Sequence, residues 1–534
     1  MRSRRRDVLI VLIVLGLIIG GLAPIFLVVD PFDLHIVDRL SGDFDAAALA
    51  APPDAIAYVG VNLLGAEQEE LAGLAAKFAG DGGGLLEELG LSLETDVIPW
   101  IGQYAGWVLV GMEVDSFNQT AVSDWVLLVE ARRTGGADDF LLLLAERWAA
   151  QNGVSIANQE YAGVGLTVLP GLVLAREGRL VMIGSSITAV QQTIDAKNGD
   201  DLTDTDIYSD AVVALPTERL VTAYVNGSYL PMLRDAATVW TETNLVFVPV
   251  SDVESISMAG FLVDEGVRLD MATIYDVEAL SAARREAVLT VQDSPQTAVH
   301  FPNNTFLYVS GQPLNVTWPS FIESEGADFA ESMLLLGENF GFDPSVSIFP
   351  LLDGEAAIGF VSGTEGMLAA QTGIGVETAV LLGSSQVAQA RAPLDGLTQA
   401  IQAIPLPIAT IENYPLGDGD VYELQAILGG LQLAYGSANG QIVVATTGEM
   451  AQSLHFTEAE SLATTPRYQQ AVRAFRGENG LTFYSDVAAL RGVLGVVEPS
   501  ASDATAVLQP IHTIAANNNV VDDILLNRIY LFMD

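Results

Sequence analysis

The sequence lacks cysteine and has few basic residues. Without cysteine, disulfides, thiolate zinc sites, iron–sulfur clusters and cysteine nucleophiles are all excluded. The chain has 23 Lys and Arg against 67 Asp and Glu, giving a net charge of −44, and lysine occurs only at Lys77 and Lys197. A surface of this sign repels phosphate backbones, so we expect no nucleic-acid partner.

Charged residues of both signs are also scarce, at 17%, whereas hydrophobic residues make up 50% of the chain. A disordered acidic chain shows the opposite balance, because it has too little apolar surface to bury. At roughly 150 residues per domain, the 534 residues are enough for two to four domains. The composition therefore predicts a large folded protein with an acidic surface.

The N-terminal end has the pattern of a membrane anchor. Residues 1–7 form a basic segment with four arginines, and residues 8–29 contain no charged side chain. A helix over 8–29 would span about 33 Å at 1.5 Å per residue, enough for a hydrocarbon core of about 30 Å. Because arginines stay on the cytoplasmic side, this pattern predicts a single-pass signal anchor in the cell membrane, with a cytoplasmic N-terminus and an extracytoplasmic C-terminal part. The lipid bilayer is then a partner of residues 8–29.

A cleaved signal peptide is the alternative for this segment. Gly21-Leu22-Ala23 has the small-residue pattern of a cleavage site, but Pro24 follows it directly. The apolar run is also longer than the about 7–15 residues usual in a signal peptide. We therefore favour a retained anchor, followed by a tether at residues 30–51 that shows no sustained hydrophobic period.

The remainder of the chain repeats itself. Segments 208–226 and 468–486 align without a gap, and seven of 19 positions are identical: Tyr208/Tyr468, Ala211/Ala471, Val212/Val472, Ala214/Ala474, Glu218/Glu478, Thr222/Thr482 and Tyr224/Tyr484. Chance would give about one identity, so an internal duplication is the better explanation. The openings around Tyr58 and Tyr308 also match. We predict two tandem extracytoplasmic modules at 52–292 and 293–534.

Apolar, β-branched runs alternate with segments of helical spacing in each module. The first module has predicted strands at 55–63, 107–112, 125–131, 220–225, 256–263 and 267–275, a meander over 165–184, and predicted helices at 67–78, 85–89, 137–151, 188–196 and 229–240. The second module ends on a predicted strand at 524–533. Tight turns between strands favour a mainly antiparallel sheet with packed helices, an α+β fold. We expect the helices to cover one face of each sheet.

The first module also carries motifs in a recognisable order. They are PDAIAYV at 53–59, LLEELGL at 85–91 and DVIPWIG at 96–102. This order resembles the bacterial membrane-anchored proteins grouped as the domain of unknown function DUF 3352. The motifs are of a structural type: a helix end, a turn proline and a buried tryptophan. The resemblance implies a bacterial cell-envelope protein and carries no known activity or catalytic residue.

No motif assigns a catalytic or cofactor-binding residue. The four histidines, none of which shows HxH or HExxH spacing, are His35, His300, His455 and His512. The sequence has no GxSxG elbow and no GxxxxGK[ST] loop, so we expect no nucleotide partner or cofactor. The six tryptophans lie mostly inside apolar runs, which favours core packing over a sugar-binding platform.

Two acidic loops are the candidates for a metal site. The first holds Asp200, Asp201, Asp204, Asp206 and Asp210, and the second holds Asp418 and Asp420 around Gly419. Calcium takes six to eight oxygen ligands, but neither loop has the spacing of an EF-hand. The alternative for the first loop is a solvated segment that caps the following helix. We assign no metal ligand.

The leading interpretation is a non-enzymatic binding or scaffold protein of the bacterial cell envelope, with another envelope protein or a lipid as its partner. The alternative is a carrier of a lipid or other apolar ligand at the membrane surface, which would require a continuous apolar pocket. The second alternative is a hydrolase assembled from distant residues, such as a serine placed beside His300 or His455.

Overall fold

The computed structural model describes the greater part of the chain beyond residue 45. The described residues are 46–62, 89–115, 120–217, 219–241, 252–290, 294–324, 343–363, 375–402, 409–426, 432–454, 460–475, 480–497 and 509–533. They divide into two compact units. The first unit runs to Asp264 and includes Arg268–Asp276, and the second comprises Glu265–Val267 and the described residues from Val277 onward.

The first unit combines strands and helices. Its strands are β1 (Ala57–Asn62), β2 (Ile101–Asp115), β3 (Thr120–Ala131), β4 (Ala157–Tyr161), β5 (Val164–Leu169), β6 (Leu172–Glu177), β7 (Leu180–Gly184), β8 (Val221–Asn226), β9 (Val253–Val263) and β10 (Gly266–Tyr275), of which Arg268–Tyr275 belong to this unit. Its helices are α1 (Thr134–Asn152), α2 (Ile187–Asn198), α3 (Asp206–Val213) and α4 (Leu230–Thr241). A short 3₁₀ helix at Ala48–Ala50 precedes them.

The second unit has the same mixture of elements. Its strands are β11 (Thr305–Gly311), β12 (Ala356–Ser362), β13 (Val376–Gly383), β14 (Ala409–Leu416), β15 (Gly419–Ala426), β16 (Gln432–Ala438), β17 (Gln441–Ala445), β18 (Phe483–Asp486), β19 (Ile511–Val521) and β20 (Ile524–Met533). Its helices are α5 (Ala282–Leu289), α6 (Leu314–Ser324), α7 (Pro344–Ser347), α8 (Val387–Gln402), α9 (Gly448–Ser453), α10 (Pro466–Ala474) and α11 (Val487–Val497). A 3₁₀ helix at Thr297–Val299 precedes β11.

The order of strands is the same in both units. In the first unit it is β4-β5-β6-β7-β3-β2-β1-β8-β9-β10. In the second unit it is β14-β15-β16-β17-β13-β12-β11-β18-β19-β20. The pairs whose register is given are antiparallel, which confirms the predicted α+β class with a mainly antiparallel sheet. Each strand of the first unit has an equivalent in the second, as expected for a duplicated chain.

Helices pack on both faces of the sheet in the first unit. On β2, Val108 is buried with Val190 of α2, whereas its neighbour Trp107 is buried with Phe140 of α1. Successive residues of a strand point to opposite faces, so α1 and α2 lie on opposite sides. The prediction that helices cover one face is therefore wrong. A sheet whose strands are apolar at most positions needs a covering layer on each face.

The second unit has the same layered arrangement. On β17, Val443 is buried with Met450 of α9, and the preceding residue Ile442 is buried with Leu394 of α8. Alternation along the strand again places the two helices on opposite faces. Each unit is thus an antiparallel sheet between two layers of helices.

Equivalent helices of the two units begin in the same way. The hydroxyl of Ser186, ahead of α2, accepts a hydrogen bond of 3.1 Å from the N–H of Ala189. The hydroxyl of Thr447, ahead of α9, accepts one of 2.9 Å from the N–H of Met450. A side-chain oxygen at this position satisfies an N–H that has no partner within the helix. Local capping therefore sets where both helices start.

Residues 47–51 differ from the prediction of a tether. Ala47, Ala48, Ala50 and Ala51 are buried in a core cluster of the first unit. Small side chains without polar groups let this 3₁₀ segment pack closely against the sheet. Gly106 leaves the space for it: a Cβ atom at Gly106 would lie only 2.7 Å from the Cβ of Ala47. The folded part thus begins ahead of residue 52.

The predicted anchor at 8–29, the basic segment 1–7 and the first part of the tether lie outside the described residues, as do the helix predicted at 67–78 and most of that at 85–89. Among the helices of the described segments, none has both the length and the apolar character needed to cross a membrane. The anchor at 8–29 stays a prediction.

One buried contact is built from different residues in the two units. Phe301 is fully buried, and a Cβ on Gly359 would overlap its ring. By strand register, the equivalent of Gly359 is Val108. The equivalent of Phe301 is Ala51, since the carbonyl of each accepts a hydrogen bond from the N–H of the first residue of a distant 3₁₀ helix, Leu462 for Phe301 and Leu202 for Ala51. A large and a small residue have exchanged places across the same contact.

Reversing this exchange in the second unit tests the equivalence of the two cores. Phe301→Ala should lower the free energy of unfolding by about 3–5 kcal/mol because it leaves a cavity. Gly359→Val should lower it by about 1–3 kcal/mol or more through overpacking. The double variant recreates the pair of the first unit, so urea unfolding should show a loss clearly smaller than the sum of the single losses. Simple additivity would contradict the equivalence.

Candidate functional site

Three tyrosines of the first unit pack together between the sheet and α3. Tyr58 of β1 and Tyr224 of β8 are direct partners in the strand register. Tyr208 of α3 packs edge-on against both, with ring centroids 6.2 Å from Tyr58 and 5.1 Å from Tyr224. Aromatic rings favour this edge-to-face arrangement over a flat sandwich. The three rings therefore join α3 to two adjacent central strands.

The second unit contains the same group of rings. Tyr308 of β11 and Tyr484 of β18 are partners in register, and Tyr468 of α10 packs edge-on against them at 6.2 and 5.3 Å. We call each group of three a tyrosine cluster. The repeated tyrosines that the sequence alignment identified thus occupy equivalent places in the two cores.

Burial makes these phenols harder to ionise. Desolvation raises the pKa of Tyr224 and of Tyr484 to about 12. It also raises the pKa of Tyr308 and Tyr468, where the nearby carboxylate of Glu355 acts in the same direction. A phenol with a raised pKa stays protonated at neutral pH and does not supply a phenolate nucleophile or base. The tyrosine clusters are therefore structural.

The second unit adds a carboxylate beside its tyrosine cluster. Glu355 is half-buried and accepts hydrogen bonds from the N–H groups of Gln296 (2.7 Å) and Thr297 (3.2 Å). It also accepts from the hydroxyls of Thr297 (2.5 Å), Ser310 (2.9 Å) and Tyr308 (3.3 Å). The two N–H groups begin a 3₁₀ helix, where the helix itself offers no acceptor. Glu355 thus caps this helix and holds it against β11.

The first unit has no equivalent of this carboxylate. Strand register places Tyr104 at the position of Glu355 and Gly60 at that of Ser310, and Ala47 lies at the position of Thr297. Two of the three hydroxyl donors to Glu355 therefore have no counterpart at these positions. Burial raises the pKa of Tyr104, and the charge of Glu130 acts in the same direction. The polar surroundings of the two tyrosine clusters therefore differ, although the rings are the same.

A second carboxylate cluster lies at the start of α9. Glu423 and Glu377 are only 3% and 8% exposed. Glu423 accepts a hydrogen bond from the side-chain amide of Gln432 and another from the N–H of Gly448. The hydroxyl of Thr447 lies 3.3 Å from a carboxylate oxygen of Glu377 and donates to it. Two carboxylates thus flank the first residues of this short helix.

Hydrogen bonds keep Glu423 ionised in spite of its burial. Desolvation by itself would raise the pKa of Glu423, but donors on Gln432, Gly448, Tyr414 and Gln425 outweigh it, so the pKa lies below its ordinary value. The phenol of Tyr414 donates to Glu412 at 2.7 Å as well, and these bonds raise its own pKa. In this cluster, hydrogen-bond donors surround the ionised carboxylate of Glu423.

The chemistry open to these clusters is limited. A general acid or base must reach a proton of the substrate, yet Glu355 and Glu423 direct their oxygens at donors of their own chain. Within the described ranges, no three or more His, Cys, Asp or Glu side chains are arranged to hold a metal ion. What the clusters do is cap helix starts and join loops to strands.

The first predicted acidic loop caps a helix. Asp201 accepts from the N–H of Thr203 at 2.8 Å, and Asp204 accepts from the N–H of Asp201 at 3.1 Å, which forms a capping box. The capping interpretation is confirmed for the short 3₁₀ helix Leu202–Asp204, whereas α3 is capped by the hydroxyl of Thr205, which accepts from the N–H of Tyr208. The other three aspartates of the loop are exposed: Asp200 lies ahead of α3, and Asp206 and Asp210 lie on it.

The second acidic loop stabilises two neighbouring hairpin turns. A carboxylate oxygen of Asp418 accepts from the N–H of Asn439 at 2.6 Å, and the N–H of Asp418 donates to the amide oxygen of Asn439 at 3.2 Å. Asp420 lies 3.4 Å from the guanidinium of Arg391. The structure therefore uses these aspartates in contacts within the fold.

Of the two histidines named by the hydrolase alternative, His300 lies within the described residues and His455 does not. His300 follows a 3₁₀ helix, and its N–H donates to the carbonyl of Thr297 at 2.9 Å. His512 Nδ1 lies 2.9 Å from the hydroxyl of Thr513. His35 and His455 lie outside the described residues. The hydrolase alternative stays a prediction.

The described tryptophans confirm the expectation of core packing for the most buried rings. Trp100 is buried, packs on Phe140 at 5.2 Å and donates its indole N–H to the carbonyl of Asp96 at 2.8 Å. Trp107 is also buried, and Trp318 packs edge-on against Phe349. Trp125 and Trp148 are partly buried against the same core as Trp107.

Sequence reasoning missed the two carboxylate clusters. Glu355 is separated along the chain by 59 residues from Gln296 and by 45 residues from Ser310. Glu423 lies on a strand between Tyr422 and Leu424, and the sequence shows no motif around it. A lone glutamate without a local motif carries no signal for such contacts, because the fold alone brings the donors to it.

The tyrosine clusters predict how the protein titrates in alkali. The chain has 14 tyrosines, and the four cluster tyrosines whose pKa burial raises should resist ionisation at pH about 11, above the ordinary tyrosine pKa of about 10. They are Tyr224, Tyr308, Tyr468 and Tyr484. Phenolate absorbance should therefore be clearly lower for the native protein than for the unfolded chain at that pH. Because the folded pKa is raised, the stability linked to it is complete below pH about 10 and is lost as the pH rises further. Equal titration of folded and unfolded protein would contradict the burial of the rings.

The depressed pKa of Glu423 predicts how the stability of the fold changes in acid. Its depressed pKa stabilises the fold above the ordinary glutamate pKa of about 4.3, and this contribution disappears as the pH falls through the folded value. Glu423→Gln should therefore be less stable than the native chain at pH about 7, with a difference that shrinks below pH about 4. Exposed Glu449→Gln is the control and should show little change. Thermal unfolding of all three across pH measures this, and a pH-independent gap for Glu423→Gln would refute the assignment.

A family model described as "Protein of unknown function (DUF3352)" matches residues 69–533. No curated protein matches the chain. Two solved crystal forms of the protein TP0453 match weakly: form III has 8% identity, a TM-score of 0.29 and coverage of 47% of this chain and 88% of that chain, and form IV has 7%, 0.28, 44% and 83%. Likeness at this level carries no argument about function. The family match covers most of the chain and confirms the resemblance seen in the sequence, so this protein belongs to the DUF3352 family of proteins of unknown function.

Proposed function

We propose that this protein is a membrane-anchored, extracytoplasmic binding or scaffold protein of the bacterial cell envelope, without enzymatic activity of its own. Residues 8–29 insert as a single-pass anchor, and the four arginines ahead of them keep the N-terminus in the cytoplasm. The two units then stand outside the membrane. An acidic, cysteine-free surface keeps an apolar-rich protein soluble there.

The observation that carries the scaffold interpretation is what the two units share. They have the same strand order, the same tyrosine cluster and the same helix caps. Their polar groups differ: a carboxylate cluster beside one set of tyrosines has no equivalent beside the other. Duplication has thus kept the interior that makes the fold rigid, which suits a protein whose task is to present surfaces.

An ion pair between helix and sheet shows the same divergence. In the first unit Asp138, the fifth residue of α1, accepts bonds of 2.6 and 2.8 Å from Arg176 of β6. In the second unit the fifth residue of α8 is Arg391, which lies 3.4 Å from Ser437 of β16. The contact between helix and sheet remains, while its charges have changed. A duplicated catalytic site would constrain such groups more tightly.

The lipid-carrier alternative has one observation in its favour. Trp107 is 6% exposed, and its indole N–H has no hydrogen-bond partner among the described residues. A buried donor of this kind costs free energy unless an oxygen reaches it. An ester or carboxyl oxygen of a bound lipid would satisfy it, and so would a buried water. A ligand at this place would lie in the core between the sheet, α1 and α4.

Fractionation and mass measurement test the anchor. The full-length protein should stay in the membrane fraction after a high-salt wash, and protease added outside the cell should digest the two units. The purified protein should keep the mass of the complete chain. A mature chain that begins after Ala23, found outside the membrane fraction, would show a cleaved signal peptide and contradict the anchor. A chain lacking residues 1–29 is the control, since it should appear in the soluble cytoplasmic fraction.

Native mass spectrometry of the full-length protein, extracted gently from its own membrane, separates scaffold from carrier. The scaffold interpretation predicts a bare mass or a complex with another protein. A discrete adduct of lipid mass that is reduced in Trp107→Phe, which keeps an aromatic ring but removes the N–H, would support the carrier instead. Trp125→Phe, at a partly buried ring of the same core, is the matched control.

A further inference from the structure

Strand β4 forms an outer edge of the sheet in the first unit. In the described part of the chain it pairs with β5 alone, and Ala157 to Glu160 are all exposed. An edge strand presents a row of backbone N–H and C=O groups that no neighbouring strand satisfies. This edge is therefore a surface on which another strand can pair.

The turn after β4 shows which backbone groups point outward. Tyr161 pairs with Val164 across the two-residue turn Ala162-Gly163, whose φ angles are 48° and 84°. In such a hairpin the residues that flank the turn exchange both hydrogen bonds, and the bonding then alternates along the ladder. Tyr161, Gln159 and Ala157 therefore direct their backbone groups toward β5. Asn158 and Glu160 direct theirs outward.

The equivalent edge of the second unit is blocked. There β14 and β15 are joined by a two-residue turn between Leu416 and Gly419, so Pro415 stands at the position equivalent to Glu160. Proline has no N–H, and edge strands use it to prevent pairing with other chains. Proline at this position also agrees with the alternation of inward and outward backbone groups, because a residue hydrogen-bonded to β15 would need an N–H. The two units differ at this edge: one is closed by proline and the other is open.

We propose that β4 pairs with β4 of a second copy of this chain, antiparallel, about a twofold axis at Gln159. Gln159 is the middle residue of the five in β4, so this register pairs all of them. Asn158 then faces Glu160 of the partner subunit, and both are residues whose backbone groups point outward. Each such pair exchanges two hydrogen bonds, so the symmetric ladder contains four.

The charges on β4 favour this register. Glu160 is the one charged residue of the strand, and the twofold axis at Gln159 places its carboxylate beside the carboxamide of the partner's Asn158. A twofold axis at Glu160 would set two carboxylates opposite each other, which destabilises a pair of strands. The strand is therefore self-complementary in the one register that uses its full length.

A ladder of five residues is a small interface, so the two copies must be held at high local concentration. Anchoring in one membrane provides this, and to that extent the inference rests on the proposed function. Pairing at β4 in turn gives the scaffold a defined way to link two molecules while the remaining surfaces stay available to other partners.

A single cysteine at the twofold axis tests the pairing, because the native chain has no cysteine to compete. Facing residues of a non-hydrogen-bonded antiparallel pair have Cα atoms about 4.5 Å apart, a separation that a disulfide can bridge. Full-length Gln159→Cys, oxidised in its membrane, should give a disulfide-linked dimer of twice the chain mass. The purified full-length variant should give the same dimer with a yield that rises with protein concentration.

Two double variants provide the matched control. Gln159→Cys with Glu160→Pro removes the outward N–H and copies the closed edge of the second unit, where proline is compatible with the strand. Gln159→Cys with Glu160→Ala removes the same side chain but keeps the N–H. The alanine variant should cross-link as well as Gln159→Cys alone. The proline variant loses two of the four hydrogen bonds and should cross-link at least about tenfold less. Circular dichroism melting should show that both remain folded.

The outcomes separate this inference from the proposed anchor. Equal yields from the folded proline and alanine variants, or no dimer from Gln159→Cys either in the membrane or at high concentration, would overturn the pairing. A disulfide-linked species of another mass would show that a different protein occupies the edge, and it would overturn the second copy as occupant. Fractionation reports the anchor independently, so a concentration-dependent dimer from a protein found outside the membrane would support the pairing while contradicting the anchor.

Discussion

The contact on which each unit depends is the tyrosine pair across its central strands, with a third tyrosine packed edge-on from a helix. Tyr58 and Tyr224 face each other in the first unit, and Tyr308 and Tyr484 do so in the second. A large ring at this point sets the spacing between sheet and helix and leaves room for one orientation of its neighbours. In both units the sheet continues on either side of this pair of strands.

Around the tyrosine clusters, the two units have diverged. Equivalent positions still fill the core or join the same elements, but they do so with different side chains. Phe301 against Gly359 replaces Ala51 against Val108, which conserves the filling of the core. Glu355 caps the 3₁₀ helix at Thr297–Val299, whereas Ala47 gives the equivalent helix at Ala48–Ala50 no side-chain cap. Such changes are tolerated because a close-packed core constrains total volume and buried hydrogen bonding more than the identity of each residue.

The edge strands show how a duplication can produce different surfaces from one fold. Both units end their sheet on a hairpin with a two-residue turn, but only one carries Pro415 at the outward position. A single proline closes a sheet edge if it stands at a position whose backbone groups point away from the neighbouring strand. Divergence at such a position changes the hydrogen-bonding groups that the edge presents and leaves the core undisturbed, which agrees with the proposed scaffold role.

The sequence by itself determined the class of fold, the duplication and most strands and helices of the first unit. The predicted strand 524–533 coincides with β20, and the predicted helix 188–196 lies within α2, because apolar periodicity and capping residues act locally. Only the tertiary structure decided that helices cover both faces, that Ala47 to Ala51 are buried, and that Glu355 and Glu423 are surrounded by donors. These features arise from contacts between segments far apart in the chain, and no local pattern records which distant residue will meet a given strand or glutamate.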